Sequence, residues 1–226
     1  MGRKDIKNIN HKNNLLNKII SNTETIGIID LGYVGLPLAV NFAQAGIKVI
    51  GFDNNTEKVE KINTGENYIN DIRDAVLREV VKKITFCATT NFKRIKECDA
   101  LLICVPTPFD KFRKPNMSYI ESACKAIGKN MKTGTFISLE STTYPTTTEE
   151  FMLPIIEKES GLKAGNDFWL AYSPERVDPG NKDYHTRNTP KVLGAMCKDG
   201  LEIGNAIFNK SFELSLESFK KLIERF

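Results

Sequence analysis

From Thr25 onward, short uninterrupted apolar runs alternate with segments of helical periodicity, and no other feature constrains the fold as much. The runs at 25–30, 48–52, 84–88, 100–105, 136–139 and 168–172 read as strands. Between them, helices are expected over about 34–45, 56–64, 71–82, 118–131 and 147–159, the third on the spacing of Val76, Val80 and Ile84. Gly46 stands where a helix C-terminus favours glycine. Strands apolar on both faces need cover on both faces, which a parallel sheet flanked by helices supplies. The expected fold class is therefore α/β, a doubly wound, mostly parallel sheet.

At 226 residues, with 41% hydrophobic and 27% charged, the chain can bury a core without covalent or metal staples. Its longest apolar run, 100–105, is far too short to span a bilayer, and the basic, Asn-rich N-terminus has no signal-like apolar core. A membrane partner is not expected. The net charge of +4 resides in the first 20 residues, where five Lys or Arg face one acid. The remainder is balanced, so bulk charge gives no support for a nucleic-acid partner. Residues 1–22 are expected to form a solvated basic arm, with at most a short helix over 14–21 through Leu15, Leu16, Ile19 and Ile20. Five cysteines, no C-x-x-C pair and only two histidines argue against a disulfide framework or a zinc site. They read as small buried residues of a reduced, cytoplasmic protein.

Ligands of doubly wound sheets bind beyond the carboxyl ends of the strands. There the first strand meets Asp30-Leu31-Gly32-Tyr33-Val34-Gly35, two-thirds of the G-x-G-x-x-G dinucleotide fingerprint of a Rossmann domain. Gly32 would let backbone approach a pyrophosphate, and Gly35 would let helix and strand pack closely. Tyr33 and Val34 lie between them in the turn that would meet the cofactor. Asp53, 21 residues after Gly32, stands where a carboxylate accepts the ribose hydroxyls, which favours NAD over NADP. Two packing glycines alone would be unremarkable; strand, glycines, helix, strand and terminal Asp in order are specific. Asp30 departs from the fingerprint. A side chain there crowds the turn, and its charge near a pyrophosphate would cost about a few kcal/mol at an effective dielectric of ~20, weakening NAD binding.

Residues 31–39 (LGYVGLPLA), 105–108 (VPTP), 140–145 (ESTTYP), 171–181 (AYSPERVDPGN) and 190–194 (PKVLG) occur in an order that resembles the UDP-glucose/GDP-mannose dehydrogenase family. The likeness is to the N-terminal half of its UDP-N-acetylhexosamine 6-dehydrogenase branch and covers roughly 14–210. It implies oxidation of the C6 alcohol of a UDP-sugar to a uronic acid, for polysaccharide precursor synthesis. NAD accepts the electrons, and a cysteine holds the intermediate as a thiohemiacetal and thioester. It also implies that Thr142 and Glu175 position water and assist proton transfer. Thr107 and Ser141 would lie near the nicotinamide end, and Arg176 near the substrate without an assigned contact. From the residues themselves, the two prolines around Thr107 stiffen a strand exit, and burial would tune Glu175 toward a useful base.

The same resemblance exposes gaps. The family's G-F-G-x-G-G-x-C stretch is not found, its second α/β domain is expected to be absent, and Thr146 stands where it usually has glycine. Residues 23–212 are expected to form the NAD-binding domain, and 213–226 the truncated start of the family's linking helix. Lys221 would fall at the catalytic lysine and Arg225 would replace an asparagine. A plain terminal amphipathic helix, with Leu216, Phe219, Leu222, Ile223 and Phe226 on one side, is the favoured reading of that tail. The expectation is thus an N-terminal portion of a nucleotide-sugar 6-dehydrogenase, inactive alone, whose family homodimer is doubtful here. The alternatives are a non-catalytic NAD-binding remnant or interaction module, and a small β-hydroxyacid-type oxidoreductase, disfavoured by the lack of a matched lysine.

Overall fold

All six apolar runs become strands in the computed structural model, which describes residues 3–69, 72–109, 111, 114–174 and 191–210. They are β1 (Thr25–Ile29), β2 (Lys48–Phe52), β3 (Phe86–Thr89), β4 (Ala100–Ile103), β5 (Thr135–Leu139) and β6 (Phe168–Tyr172). A short β7 (Gly194–Ala195) completes a seven-stranded sheet of order β3-β2-β1-β4-β5-β6-β7. The first six strands run parallel and β7 antiparallel. The chain order reverses between β1 and β4, the topological switch point of a doubly wound sheet.

Helices α1 (Arg3–Ser21), α2 (Gly35–Gln44), α3 (Thr56–Thr64), α4 (Asp74–Lys82), α5 (Ser118–Asn130), α6 (Leu153–Ser160) and α7 (Lys198–Phe208) cover the sheet. One apolar layer joins Ile26, Ile28 and Trp169 to α1, α2, α4 and α7. The other joins Phe52, Leu101 and Ile137 to α5 and α6. Asn55 caps α3 by accepting the Lys58 N–H at 3.2 Å. Among the described residues no helix is long and apolar enough to cross a membrane.

Four local expectations need correction. The leader is not a solvated arm: α1 is continuous over Arg3–Ser21, with Leu15 and Ile19 buried. Lys12 pairs with Asp199 at 2.7 Å and Glu202 at 2.6 Å, so part of the leader's charge is matched by α7. Ile84 is 81% exposed, with φ +59°, because α4 stops at Lys82 and the chain turns there into β3. The strand read as 100–105 is shorter, Ala100–Ile103, although Cys104 and Val105 remain buried. The stretch 147–159 divides into a π-helical turn, Thr147–Met152, and α6, where Pro154 is placed to start a helix. A 3₁₀ turn at Phe92–Glu97, β7 and α7 had no clear periodic signal. Residues 211–226, with Lys221 and Arg225, lie outside the described part.

The foot of the sheet is held by one carboxylate. Asp99 accepts the Thr25 N–H at 3.0 Å and contacts Lys18 at 2.7 Å and Lys132 at 2.8 Å. Burial works against its charge, but bonds from Lys132, Lys18 and Thr25 outweigh this and hold its pKa below the ordinary value. Asp99→Ala should destabilise the fold by about 2–3 kcal/mol, because it strands a buried N–H and frees α1. A carboxyl lowered in the folded state stabilises above its unfolded pKa and loses that contribution as pH falls through the lower folded value. Urea unfolding should therefore show the gap between wild type and Asp99→Ala at neutral pH and its narrowing once pH drops well below about 4.

Candidate functional site at the carboxyl edge

Register decides which residues meet at the carboxyl edge. Ile29 pairs with Phe52 on one side and Ile103 on the other, so Asp30, Asp53 and Cys104 leave the sheet side by side. The ladder continues one step further through Asp30 N–H to Phe52 O at 2.8 Å and Cys104 N–H to Ile29 O at 2.9 Å.

The β1–α2 turn is tight. A side chain on Gly35 would bring its Cβ 1.9 Å from the Asp30 carbonyl oxygen, so only glycine lets the helix start there. Asp30 itself has φ +73°, the left-handed conformation that a fingerprint glycine would take without strain. The backbone at Asp30 is therefore strained. The Asp30 carboxylate turns back over the loop, and its Oδ2 accepts the Gly32 N–H at 3.0 Å. Burial, and then the charge of Asp53, push the Asp30 carboxyl up, opposed by the Gly32 N–H and Lys58.

Asp53 ties the second strand exit to this turn. Its Oδ2 accepts the Leu31 N–H at 3.1 Å and meets Lys58 Nζ at 3.3 Å, while Oδ1 accepts the Asn55 N–H at 2.8 Å. Tyr68 contributes a brace that sequence reasoning missed. Its hydroxyl donates to the Leu31 carbonyl at 2.6 Å, and burial followed by the charges of Asp53 and Asp30 raises its pKa, so it stays a donor. Tyr33 is 68% exposed at the tip of the turn and Val34 is half-buried. Beside these groups opens a crevice of about 570 Å³, lined among others by Ile29, Asp30, Phe52, Asp53, Val105 and Tyr119. It lies between the β1, β2 and β4 exits, at the switch point.

The exits of β4 and β5 are joined by hydroxyls. Ser141 donates to Val105 O at 2.6 Å, and Thr107 donates to the Thr142 carbonyl at 2.7 Å. Thr142 is exposed at that edge and Ser141 is buried beneath it. Just below, buried Glu140 accepts from Ser138 Oγ at 2.6 Å and from Lys191, and Lys191 also donates to Ser173 Oγ at 3.1 Å. Lys191 thereby links the residues that precede Ser141 and Pro174, a tie that the 190–194 segment carrying the family resemblance did not specify. Thr107, Ser141 and Thr142 are thus brought together; Glu175 and Arg176 lie outside the described residues.

Residues 24–212 match the UDP-glucose/GDP-mannose dehydrogenase family, NAD binding domain. The chain belongs to that family. CapL of Staphylococcus aureus is 38% identical over 178 residues, spanning 79% of this chain and 41% of that protein. The UDP-N-acetyl-D-glucosamine 6-dehydrogenase of Pseudomonas aeruginosa is 34% identical over 185 residues, 82% of this chain and 43% of that protein. Among solved structures, the NDP-N-acetyl-D-galactosaminuronic acid dehydrogenase of Methanosarcina mazei Go1 superposes with a TM-score of 0.79 at 34% identity, covering 88% of this chain and 45% of that one. The chain spans less than half the length of these relatives.

The matched part is the family's NAD-binding domain, and NAD is its cofactor. The crevice beside Asp53, of about 570 Å³, has room for part of such a cofactor. At Asp30, however, a carboxylate stands over the amide nearest the phosphate position.

Glycine is required at one turn and missing at another. Gly35→Ala should destabilise by at least about 3 kcal/mol, since the clash is with backbone that cannot yield. Thr146 has φ +69° and makes no side-chain capping bond, so Thr146→Gly should stabilise by about 1 kcal/mol and raise Tm by ~2–4 °C. Thermal unfolding of the two variants checks both signs.

Proposed function

We propose that this chain forms the cofactor half of a UDP-N-acetylhexosamine 6-dehydrogenase, which oxidises the sugar C6 alcohol to the uronic acid. The observation that carries the reading is the switch-point crevice, where Asp53 and the glycine turn are hydrogen-bonded together. In this reading the Asp53 carboxylate accepts the ribose hydroxyls, and the amides of Gly32, Tyr33, Val34 and Gly35 face the pyrophosphate. Thr107 and Ser141 hold the strand exits beside the nicotinamide end. Thr142, together with Glu175, orients water and moves the proton released from the substrate hydroxyl. When bound, NAD supplies the hydride acceptor. The relatives named for UDP-N-acetyl-sugars support the substrate class.

Cysteine chemistry favours a chain that holds NAD without completing the oxidation alone. The second oxidation needs a thiolate at the sugar. Burial pushes the thiols of Cys98 and Cys124 up to about 12, which keeps them protonated. Cys104 is buried, Cys197 accepts the Gly200 N–H at 3.4 Å as a helix cap, and Cys87 sits in β3 away from the crevice. We therefore assign the chain a UDP-sugar partner site only in concert with further protein, and a reduced, cytoplasmic setting. Neither a nucleic-acid nor a membrane partner enters the reading, and a homodimer of this chain alone is not part of it.

Calorimetry at millimolar NAD and mildly acidic pH should show binding, and Asp53→Asn should weaken it about tenfold through loss of charge-assisted bonds to the ribose. With UDP-N-acetylglucosamine added, absorbance should show no NADH accumulation. Turnover by the purified chain would contradict the inactive reading, and an unchanged affinity in Asp53→Asn would contradict the cofactor assignment.

A further inference from the structure

The disagreement at Asp30 has a chemical consequence. Gly32 N–H, which a pyrophosphate would engage, is already satisfied by Asp30 Oδ2 at 3.0 Å, and the preceding Leu31 N–H by Asp53 Oδ2 at 3.1 Å. A Cβ on Gly32 would lie 2.8 Å from that same Asp30 oxygen, so the carboxylate occupies the open side of the turn. Two successive amides of the phosphate cradle are thus taken by anions of the chain itself. The nucleoside side of the site is different: the crevice of about 570 Å³ lies open past Asp53 toward Val105 and Tyr119.

We propose that Asp30 is a built-in substitute for phosphate, which makes the crevice selective for a nucleoside at neutral pH and admits the pyrophosphate of NAD only when the Asp30 carboxyl is protonated. The proposal rests on the NAD reading of the site and deepens it. Ionised, Asp30 both blocks the Gly32 amide and repels a diphosphate. Protonated, it no longer repels the phosphates, becomes a weaker acceptor for the Gly32 amide, and offers an O–H to a phosphate oxygen. The groups facing it are Asp53 at the end of β2, Lys58 on α3, the Tyr68 hydroxyl, and Tyr119 of α5 across the crevice. Burial first and Asp53 second raise its pKa, while Gly32 N–H and Lys58 act against them. A raised carboxyl takes up its proton at higher pH than an ordinary one, so the site opens to diphosphates as pH falls.

The test is calorimetric titration of the full chain with adenosine, ADP and NAD near pH 8 and near pH 5. Wild type should bind adenosine at least as tightly as ADP near pH 8, and gain NAD affinity as the pH is lowered toward 5. Asp30→Asn, which keeps a residue tolerant of positive φ, and Asp30→Gly, which removes the strain, should bind NAD at least about tenfold tighter than wild type near pH 8. Neither should show the pH dependence. Equal NAD affinity in wild type and both variants, or tighter binding of ADP than of adenosine by wild type near pH 8, would overturn the proposal and leave the NAD assignment standing. Failure of every form of the chain to bind any of the three ligands would overturn both.

Discussion

The close approach of Gly35 to the Asp30 carbonyl is the constraint on which the rest of the site depends. It lets α2 begin almost on top of β1, so the helix starts at the sheet's carboxyl edge, beside the crevice. Register does the remainder: pairing of Ile29 with Phe52 and Ile103 brings Asp53 within reach of Leu31 N–H and opens the crevice between β1, β2 and β4. Altering the turn would therefore disturb helix placement, acid placement and cavity together.

The turn also carries the chain's departure from its family. A residue at φ +73° with a side chain is strained unless that side chain finds local bonds, and Asp30 finds one on Gly32. The same bond that makes Asp tolerable there takes the donor that a dinucleotide would use. A similar local strain at Thr146 has no capping bond to offset it.

Much of the fold was legible because the strands are apolar on both faces, and a continuous run such as 48–52 or 168–172 has one economical reading. Periodicity failed where an apolar residue served a turn instead of a core, as at Ile84, and where a helix owes its place to partners distant in sequence, as α1 does to α7 and Asp99. At the candidate site, Asp30, Gly32, Gly35 and Asp53 were visible because the fingerprint has fixed spacing. Tyr68 was not, since it acts on a partner dozens of residues away with no motif to announce it; Lys191 was visible only as part of the 190–194 segment, not as the partner of Glu140. The strain at Asp30 and Thr146 was visible only as a mismatch of residue type with turn; the torsions supplied the sign.

If the carboxyl edge is a dinucleotide site, it must respond locally when NAD arrives. Amide-resolved NMR titration of the chain with NAD at mildly acidic pH reads this most directly. Shifts should concentrate at 31–35, at 53–55 and around Val105, with α1 and the turn around Gly134 unmoved. Shifts absent from 31–35 and 53–55, or gathered at the opposite end of the sheet, would contradict the assignment.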